Sequence, residues 1–298
     1  RRIISMATAH RSFVFLAAAA ASAAAAPLRR VLVTGGNKGI GLQICRRILS
    51  DYPDTSVILG SRDADRGKSA VQSLIDENPD NDGRVEELEL DVTSDESVRA
   101  AAERLRDKEK LYGIVNNAGV GFGYSIPDTL KTNFYGVRRV CESFLPMVQK
   151  DGGRIVNIAS ASGPNFVNRL RDSEKSVFTS KDTTWSELEA TIKGYIDGGS
   201  SSDAYGLSKA CLNVYTRQLA KANPNLRINS CSPGYILTDL TEGMGATKKP
   251  DESNCHVAPL FLLFGEPEGN GRYYGSDAVR SPLDRYRGPG TPPYISDD

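Results

Sequence analysis

The stretch Thr34-Gly35-Gly36-Asn37-Lys38-Gly39-Ile40-Gly41 decides the fold, because of what flanks it. Ahead of it, Arg30–Thr34 (RVLVT) is a short apolar run that reads as a strand; behind it, Ile40, Ile44, Ile48 and Leu49 recur at helical spacing. A glycine-rich turn between strand and helix is a place where backbone can come close to a ligand. Gly35 permits the tight turn, Gly39 lets the chain approach a pyrophosphate, and Gly41 allows the helix to pack closely on the strand. The free N–H groups and positive dipole end of that helix then face an anion. The competing reading is a tight turn that binds nothing, and the strand–turn–helix context speaks against it.

The same alternation continues outward. Ser56–Gly60 (SVILG) reads as a second strand, followed by a helix around Gly67–Glu77 with Ala70, Val71, Leu74 and Ile75 on one face. Val85–Leu90, Leu111–Val115, Arg154–Ala159 and Arg227–Ser232 supply four more strands, and Asp95–Leu105, Thr129–Val148 and Ala204–Ala222 the helices between them. Strands alternating with helices of this length imply an α/β fold, a doubly wound parallel sheet with helices on both faces. One segment, Pro164–Asp203, breaks the rhythm. Within it Thr184-Trp185-Ser186-Glu187 has the form of a capping box, and Leu188, Ile192 and Tyr195 follow at helical spacing, so at least one extra helix is expected there.

Composition narrows the function. The 298 residues suit one domain of this type, and 37 Lys plus Arg balance 37 Asp plus Glu, unlike the basic excess of a nucleic-acid binder. Five scattered cysteines without a CxxC pair suggest neither a disulfide framework nor a zinc site, and no metal is expected. Two histidines, His10 and His256, leave no room for a histidine-based triad. Residues 1–27 form a leader whose short cationic stretch and apolar run, Phe13–Ala21, resemble a secretory or organelle-targeting segment; a disordered extension is the alternative. The run is short for a membrane span, and no other segment fits one. The body, 28–286, is compatible with the cytoplasm. Residues 287–298, rich in Pro, Gly and acid, read as a disordered tail.

Charge near the turn selects the cofactor. An NAD site has an acid at the end of the second strand to bind the ribose 2′-hydroxyl. Here that strand ends Gly60-Ser61-Arg62, and the nearest acid, Asp63, follows the arginine. Arg62 and Lys38 together suit a 2′-phosphate and favour NADP, whereas either alone would pass as a solvated surface residue.

Tyr205 and Lys209 stand four apart on a helix and therefore share one face. A nearby ammonium lowers the pKa of a phenol, which makes proton donation to a carbonyl oxygen feasible as hydride arrives.

Taken together these motifs resemble the short-chain dehydrogenase/reductase superfamily. Thr34–Gly41 has its TGxxxGxG form, Asn116-Asn117-Ala118-Gly119 its NNAG signature and Tyr205-Gly206-Leu207-Ser208-Lys209 its YxxxK signature. Asn37-Lys38-Gly39-Ile40-Gly41, Ser61-Arg62-Asp63, Leu130–Gly136 (LKTNFYG), Ser232-Pro233-Gly234-Tyr235 and the long insertion are most similar to the monomeric, NADPH-dependent carbonyl reductases. That resemblance implies a Rossmann-type fold and Ser160 as the group that holds the substrate carbonyl, with Ser162 the alternative. It implies Asn133 as the fourth catalytic residue, holding a water that links the lysine to solvent. It places Gly35, Asn37, Lys38, Gly39, Ile40, Gly41 and Arg62 on the cofactor, Asp91 and Val92 at the adenine, and Asn117, Ala118 and Gly119 on the adenosine ribose side. Tyr205 and Lys209, with Pro233, Gly234, Ile236 and Thr238, fall at the nicotinamide end. The chain departs from the family at Leu111-Tyr112-Gly113, where an aspartate is usual, and in the short segment Val120–Thr129.

The expected activity is NADPH-dependent reduction of ketones, aldehydes or quinones, with Tyr205 as proton donor and a small carbonyl compound as the only partner. A sugar-nucleotide epimerase needs a larger C-terminal domain than the residues after Thr238 provide. A catalytically silent NADP-binding sensor is the remaining alternative, and the intact Asn133, Ser160, Tyr205 and Lys209 argue against it. Phe122, Tyr124, Phe166, Trp185, Tyr235 and Met244 lean towards apolar or aromatic substrates. An added helix over the face that other members use to form tetramers implies a monomer.

Overall fold

The computed structural model describes residues 28–198 and 203–295. The leader 1–27 and residues 296–298 of the expected tail therefore lie outside the described residues. Seven parallel strands form one sheet in the order β3-β2-β1-β4-β5-β6-β7. In chain order they are β1 Arg29–Thr34, β2 Thr55–Ser61, β3 Val85–Glu89, β4 Leu111–Asn116, β5 Arg154–Ile158, β6 Arg227–Cys231 and β7 Tyr273–Tyr274. The order reverses between β1 and β4, which opens a crevice at their carboxyl ends, the usual ligand position in such sheets.

Helices cover both faces. On one lie α1 (Gly39–Asp51), α2 (Ala64–Glu77) and α10 (Val257–Phe264), whose Ile44, Ile48, Leu74 and Leu263 pack on Val31, Val33 and Leu59. On the other lie α3 (Asp95–Leu105), α4 (Ile126–Asn133), α5 (Tyr135–Phe144) and α9 (Ala204–Ala222), packed on Leu32, Ile58 and Ile114. Each fully buried Leu or Ile contributes about 1.5–3 kcal/mol, so the apolar stripe of α1 alone fixes that helix to the sheet.

The single helix expected over Thr129–Val148 is broken. Ser125 caps α4 through Asp128 N, with a proline in its first turn, so the element starts earlier than expected. Phe134 leaves helical geometry (φ −125°, ψ −65°), its ring wholly buried against Trp185 and Tyr215. Pro146 then sits in a 3₁₀ turn, Leu145–Met147, because a proline has no N–H to continue the α ladder.

The insertion holds three helices, α6 (Ser162–Asn168), α7 (Asp172–Thr179) and α8 (Trp185–Asp197). The capping box at α8 forms as read: Thr184 accepts from Glu187 N at 3.3 Å, and Glu187 accepts from Thr184 N at 2.7 Å. Trp185 stacks on Phe134 at 5.6 Å and carries the Arg138 guanidinium 3.9 Å above its ring. Trp185→Ala is expected to lower the unfolding free energy by about 2–4 kcal/mol, read from the urea midpoint, because it empties this junction.

Tyr112, in the stretch Leu111-Tyr112-Gly113 noted above, has its own packing. Its hydroxyl donates to Leu263 O at 3.0 Å and its ring stacks on Phe264, while Arg29 lies 4.9 Å from the Phe264 ring. The departure thus anchors α10 to the amino ends of β1 and β4.

The tail expected to be disordered from residue 287 is placed against the body over 287–295. Arg287 pairs with Asp277 and donates to Ser281 Oγ (2.9 Å) and Thr291 O (2.6 Å), partners that composition alone does not reveal. Among the described residues, no helix is long and apolar enough to cross a membrane.

Candidate active site

The carboxyl ends of β1, β4, β5 and β6 converge on a cleft of about 950 Å³. Its floor is the glycine turn. Gly35 and Gly39 have φ of 63° and 58°, a region that side chains other than glycine's rarely adopt. At Gly41 a Cβ would collide with the Gly35 carbonyl oxygen and the Asn117 side chain, so the close packing expected there is observed. The NNAG turn is laced to the same floor. The Thr34 hydroxyl accepts from the N–H groups of Asn117 and Ala118, both at 3.0 Å, and Asn117 Nδ2 donates to Thr34 O and Gly35 O. Asn117 therefore holds the turn in shape as well as facing the cleft. Its neighbour Asn116 points inward, donating to Asn157 Oδ1 at 2.8 Å.

Every residue expected on the cofactor lines this one cleft, from Gly35, Asn37, Lys38, Gly39, Ile40, Gly41 and Arg62 through Asp91, Val92 and Asn117–Gly119 to Pro233, Gly234, Ile236 and Thr238. Ser160, Tyr205 and Lys209 line it too. At the outer end the cations are arranged as a phosphate would require. Arg62 is exposed, and Arg66 joins it from the first turn of α2. Asp63, which follows the end of β2, caps α2 by accepting from Arg66 N at 2.9 Å and pairs with the Arg66 guanidinium at 3.2 Å. Lys38 forms an exposed ion pair with Asp239 on the loop after β6. Exposed Arg62, Arg66 and Lys38 beside a bare-backbone floor fit a dinucleotide carrying a 2′-phosphate.

At the inner end Tyr205 sits in the first turn of α9, which Asp203 caps by accepting from Gly206 N at 2.7 Å. Arg169 of the insertion pairs with the same aspartate, so the insertion helps fix the start of this helix. Lys209, one turn on, is 5% exposed. Its Nζ donates to Ile158 O at 2.8 Å and lies 5.6 Å from the Tyr205 ring. Burial lowers its pKa from 10.5 to about 8.

Tyr205 corrects the sequence-based expectation. Burial pushes its phenol above the ordinary value, a hydrogen bond with Ser160 pulls the other way, and Asp203 pushes it up again. Burial sets the direction of the phenol's shift, in place of the downward pull expected from the lysine.

Ser160 follows the end of β5 by two residues and meets the tyrosine there. Ser162 begins α6, with its N–H donating to Ser160 Oγ at 3.2 Å. The bond to Tyr205 favours Ser160 over Ser162 as the carbonyl-holding group. Asn133 does not line the cleft. It is wholly buried, accepts from Val120 N at 2.8 Å, and donates to Val120 O (3.0 Å) and Ser208 Oγ (3.1 Å). Its side chain ties the loop after β4 to the helix of the tyrosine and lysine.

Two contributors were missed from sequence. Asp239 pairs with Lys38, and Thr241, 7% exposed, holds the same loop by donating to Ile236 O at 2.5 Å. Neither belongs to a motif; each depends on the loop's path. Of the aromatic residues read as substrate contacts, Phe122, Tyr124 and Tyr235 do line the cleft. Phe166 and Trp185 instead pack inside the insertion, against Phe178 and Tyr195 and against Phe134.

A family model described as short chain dehydrogenase matches residues 29–170. The protein named carbonyl reductase (NADPH) 1 from Homo sapiens is 34% identical over 267 residues, covering 80% of this chain and 92% of that protein. (+)-Neomenthol dehydrogenase from Arabidopsis thaliana is also 34% identical, over 84% of this chain and 97% of its own. Among solved structures, salutaridine reductase from Papaver somniferum superposes with a TM-score of 0.71 at 28% identity, covering 83% of this chain and 99% of that one. With a cleft of this construction and relatives matched at this identity over nearly their whole length, the chain belongs to the short-chain dehydrogenase/reductase family.

Proposed function

We propose that this cleft reduces ketones, aldehydes or quinones to alcohols at the expense of NADPH, with Tyr205 as the proton donor. The observation that carries the proposal is the meeting of Ser160, Tyr205 and Lys209 in the same cleft as the glycine turn and the cations Lys38 and Arg62. The names of the most similar relatives point the same way, since carbonyl reductase (NADPH) 1 is matched over 92% of its length.

When bound, the nicotinamide cofactor supplies the hydride. Everything else falls to the chain. Ser160 Oγ donates to the substrate carbonyl oxygen and fixes its position beside Tyr205, a polarising contact of the oxyanion-hole kind. The phenol keeps its proton at neutral pH, because burial raises its pKa. As charge develops on the carbonyl oxygen, the Tyr205 O–H bond breaks and the proton moves to that oxygen. The Lys209 ammonium stabilises the phenolate left behind. Asn133 acts through α9, as a positioning residue. Phe122 and Tyr235, both exposed at the cleft mouth, offer apolar surface to the substrate.

Because Lys209 titrates near 8, kcat/KM for reduction is expected to fall as pH rises through that value, since the neutral amine no longer stabilises the phenolate. Lys209→Arg, which does not titrate in this range, is expected to flatten that limb. The same lowered pKa has a linkage consequence. Between about 8 and 10.5 the unfolded chain holds the lysine proton and the folded one does not, so this group adds stability as pH rises through that window.

The chain is proposed to be a monomer. Helices α6, α7 and α8 lie against α9 and cover that face, so light scattering is expected to return the mass of one chain. The reaction itself is tested by the rate of NADPH oxidation over a panel of quinones, aldehydes and ketones, with NADH for comparison. Turnover that prefers NADPH supports it. NADPH binding without turnover on any member would favour a sensor.

A further inference from the structure

A second cavity, of about 420 Å³, adjoins the cleft at Ser160. The two share Ser160, Ser162, Gly234 and Tyr235, and the second is walled on its far side by the chain after β7, from Gly275 to Pro289. A carbonyl held at Ser160 therefore has space on either side. One side is the apolar mouth at Phe122; the other is this cavity, large enough for a ring and a short arm.

The charge in the second cavity is one-sided. Among the described residues, its lining carries two guanidinium groups, Arg285 and Arg287, and no carboxylate. The two arginines differ in what they are free to do. Arg287 is 7% exposed and fully engaged, paired with Asp277 and bonded to Ser281 and Thr291, so it clasps the segment over the cavity. Arg285 is 60% exposed. It forms only a loose, exposed ion pair with Asp284 at 3.7 Å, beyond hydrogen-bond reach, and its guanidinium lies 5.6 Å from the Tyr294 ring. A ring on one side of a guanidinium limits its motion and leaves its edge donors to a planar anion. Ser162 and Asn165, from α6, add neutral polar groups between the reacting end and the arginine.

Resting on the reduction proposed above, we infer that this cavity takes the distal arm of the carbonyl substrate, and that the arm ends in a carboxylate held by Arg285. Bidentate arginine–carboxylate pairing is directional, so it would also set which face of the carbonyl meets the hydride. Arg285 is thus a specificity-determining residue, distinct from the groups that carry the chemistry.

The test compares 4-carboxybenzaldehyde with its methyl ester, near in shape and different in charge. In the wild type kcat/KM is expected to favour the acid by about tenfold, the scale of one charge-assisted contact. In Arg285→Gln the acid-to-ester ratio is expected to fall to near one, and Arg285→Lys to keep part of the preference. A wild-type ratio at or below one, or a ratio unchanged in Arg285→Gln, overturns the inference. Calorimetric titration of terephthalate into the NADP-saturated protein separates this from the reduction itself. If neither aldehyde is reduced, the titration alone decides the anion site, and the reaction is judged on the wider panel. The anion site then stands only if terephthalate binds the wild type and binds Arg285→Gln at least several-fold more weakly; equal binding, or none, overturns it.

Discussion

Tyr205→Phe is expected to cut kcat for carbonyl reduction by about 10²–10⁴-fold, the range general acid catalysis supplies. The substitution removes one hydroxyl and little else. The ring remains in tilted contact with Phe122, Asp203 still caps α9, and Lys209 keeps its bond to Ile158 O. NADPH affinity, followed by fluorescence titration, is therefore expected to hold while single-turnover NADPH oxidation collapses. Losing the hydroxyl also leaves Ser160 without its partner at the phenol, so part of the loss comes from poorer placement of the carbonyl. A variant with wild-type kcat would remove Tyr205 from the chemistry, and equal loss of NADPH binding would recast it as a structural residue.

The second large effect is at the outer end of the cleft. Arg62→Leu is expected to weaken NADPH by about 10- to 100-fold, the worth of one or two hydrogen bonds to a charged phosphate, and to change NADH far less. Lys38→Leu is expected to do the same to a smaller degree. Lys38 must first release Asp239, although that pair is exposed and gives way readily to a phosphate of higher charge. The double variant is expected to lose its preference between the two cofactors. It should not acquire a preference for NADH, because Asp63 caps α2 and no other acid stands at the end of β2 to bind a ribose 2′-hydroxyl. Dissociation constants for NADPH and NADH across the three variants check this. Equal weakening of both cofactors would show that Lys38 and Arg62 shape the site without reading the phosphate.

Much of this was legible in the sequence, for local reasons. Helices α3 and α9 begin and end as read, because each combines a cap with an apolar stripe, and a pattern of that kind depends only on near neighbours. The glycine turn was legible because φ above zero and a close backbone approach leave glycine little competition. Other features depend on partners far along the chain. The break at Phe134 is set by Trp185 and Tyr215, some 50 to 80 residues later, and nothing in the sequence around Phe134 announces it. Arg287 meeting Asp277, ten residues earlier, is a contact that the acid- and proline-rich composition of the segment does not announce. Helix α10 and strand β7 were not anticipated at all; the first is almost uniformly apolar and the second has two residues, so neither shows a period.

Within the site, the residue types were legible and their electrostatics were not. Ser160, Tyr205 and Lys209 stand together as expected. The sequence suggested that Lys209 would lower Tyr205, whereas burial raises the phenol and lowers the amine, a result that depends on how closely β5 and α9 enclose them. Asn133 was read as a holder of water; its side chain bridges Val120 and Ser208, partners that the motif does not announce.

The most direct measurement follows deuterium from the C4 position of NADPH. The protein is mixed with C4-deuterated NADPH and an aldehyde that it turns over, and the alcohol is analysed by mass spectrometry. Reduction in this cleft predicts one deuterium per alcohol from one face of the nicotinamide, and next to no alcohol with Tyr205→Phe. NADPH bound to the protein with no labelled alcohol formed from any quinone, aldehyde or ketone would contradict it.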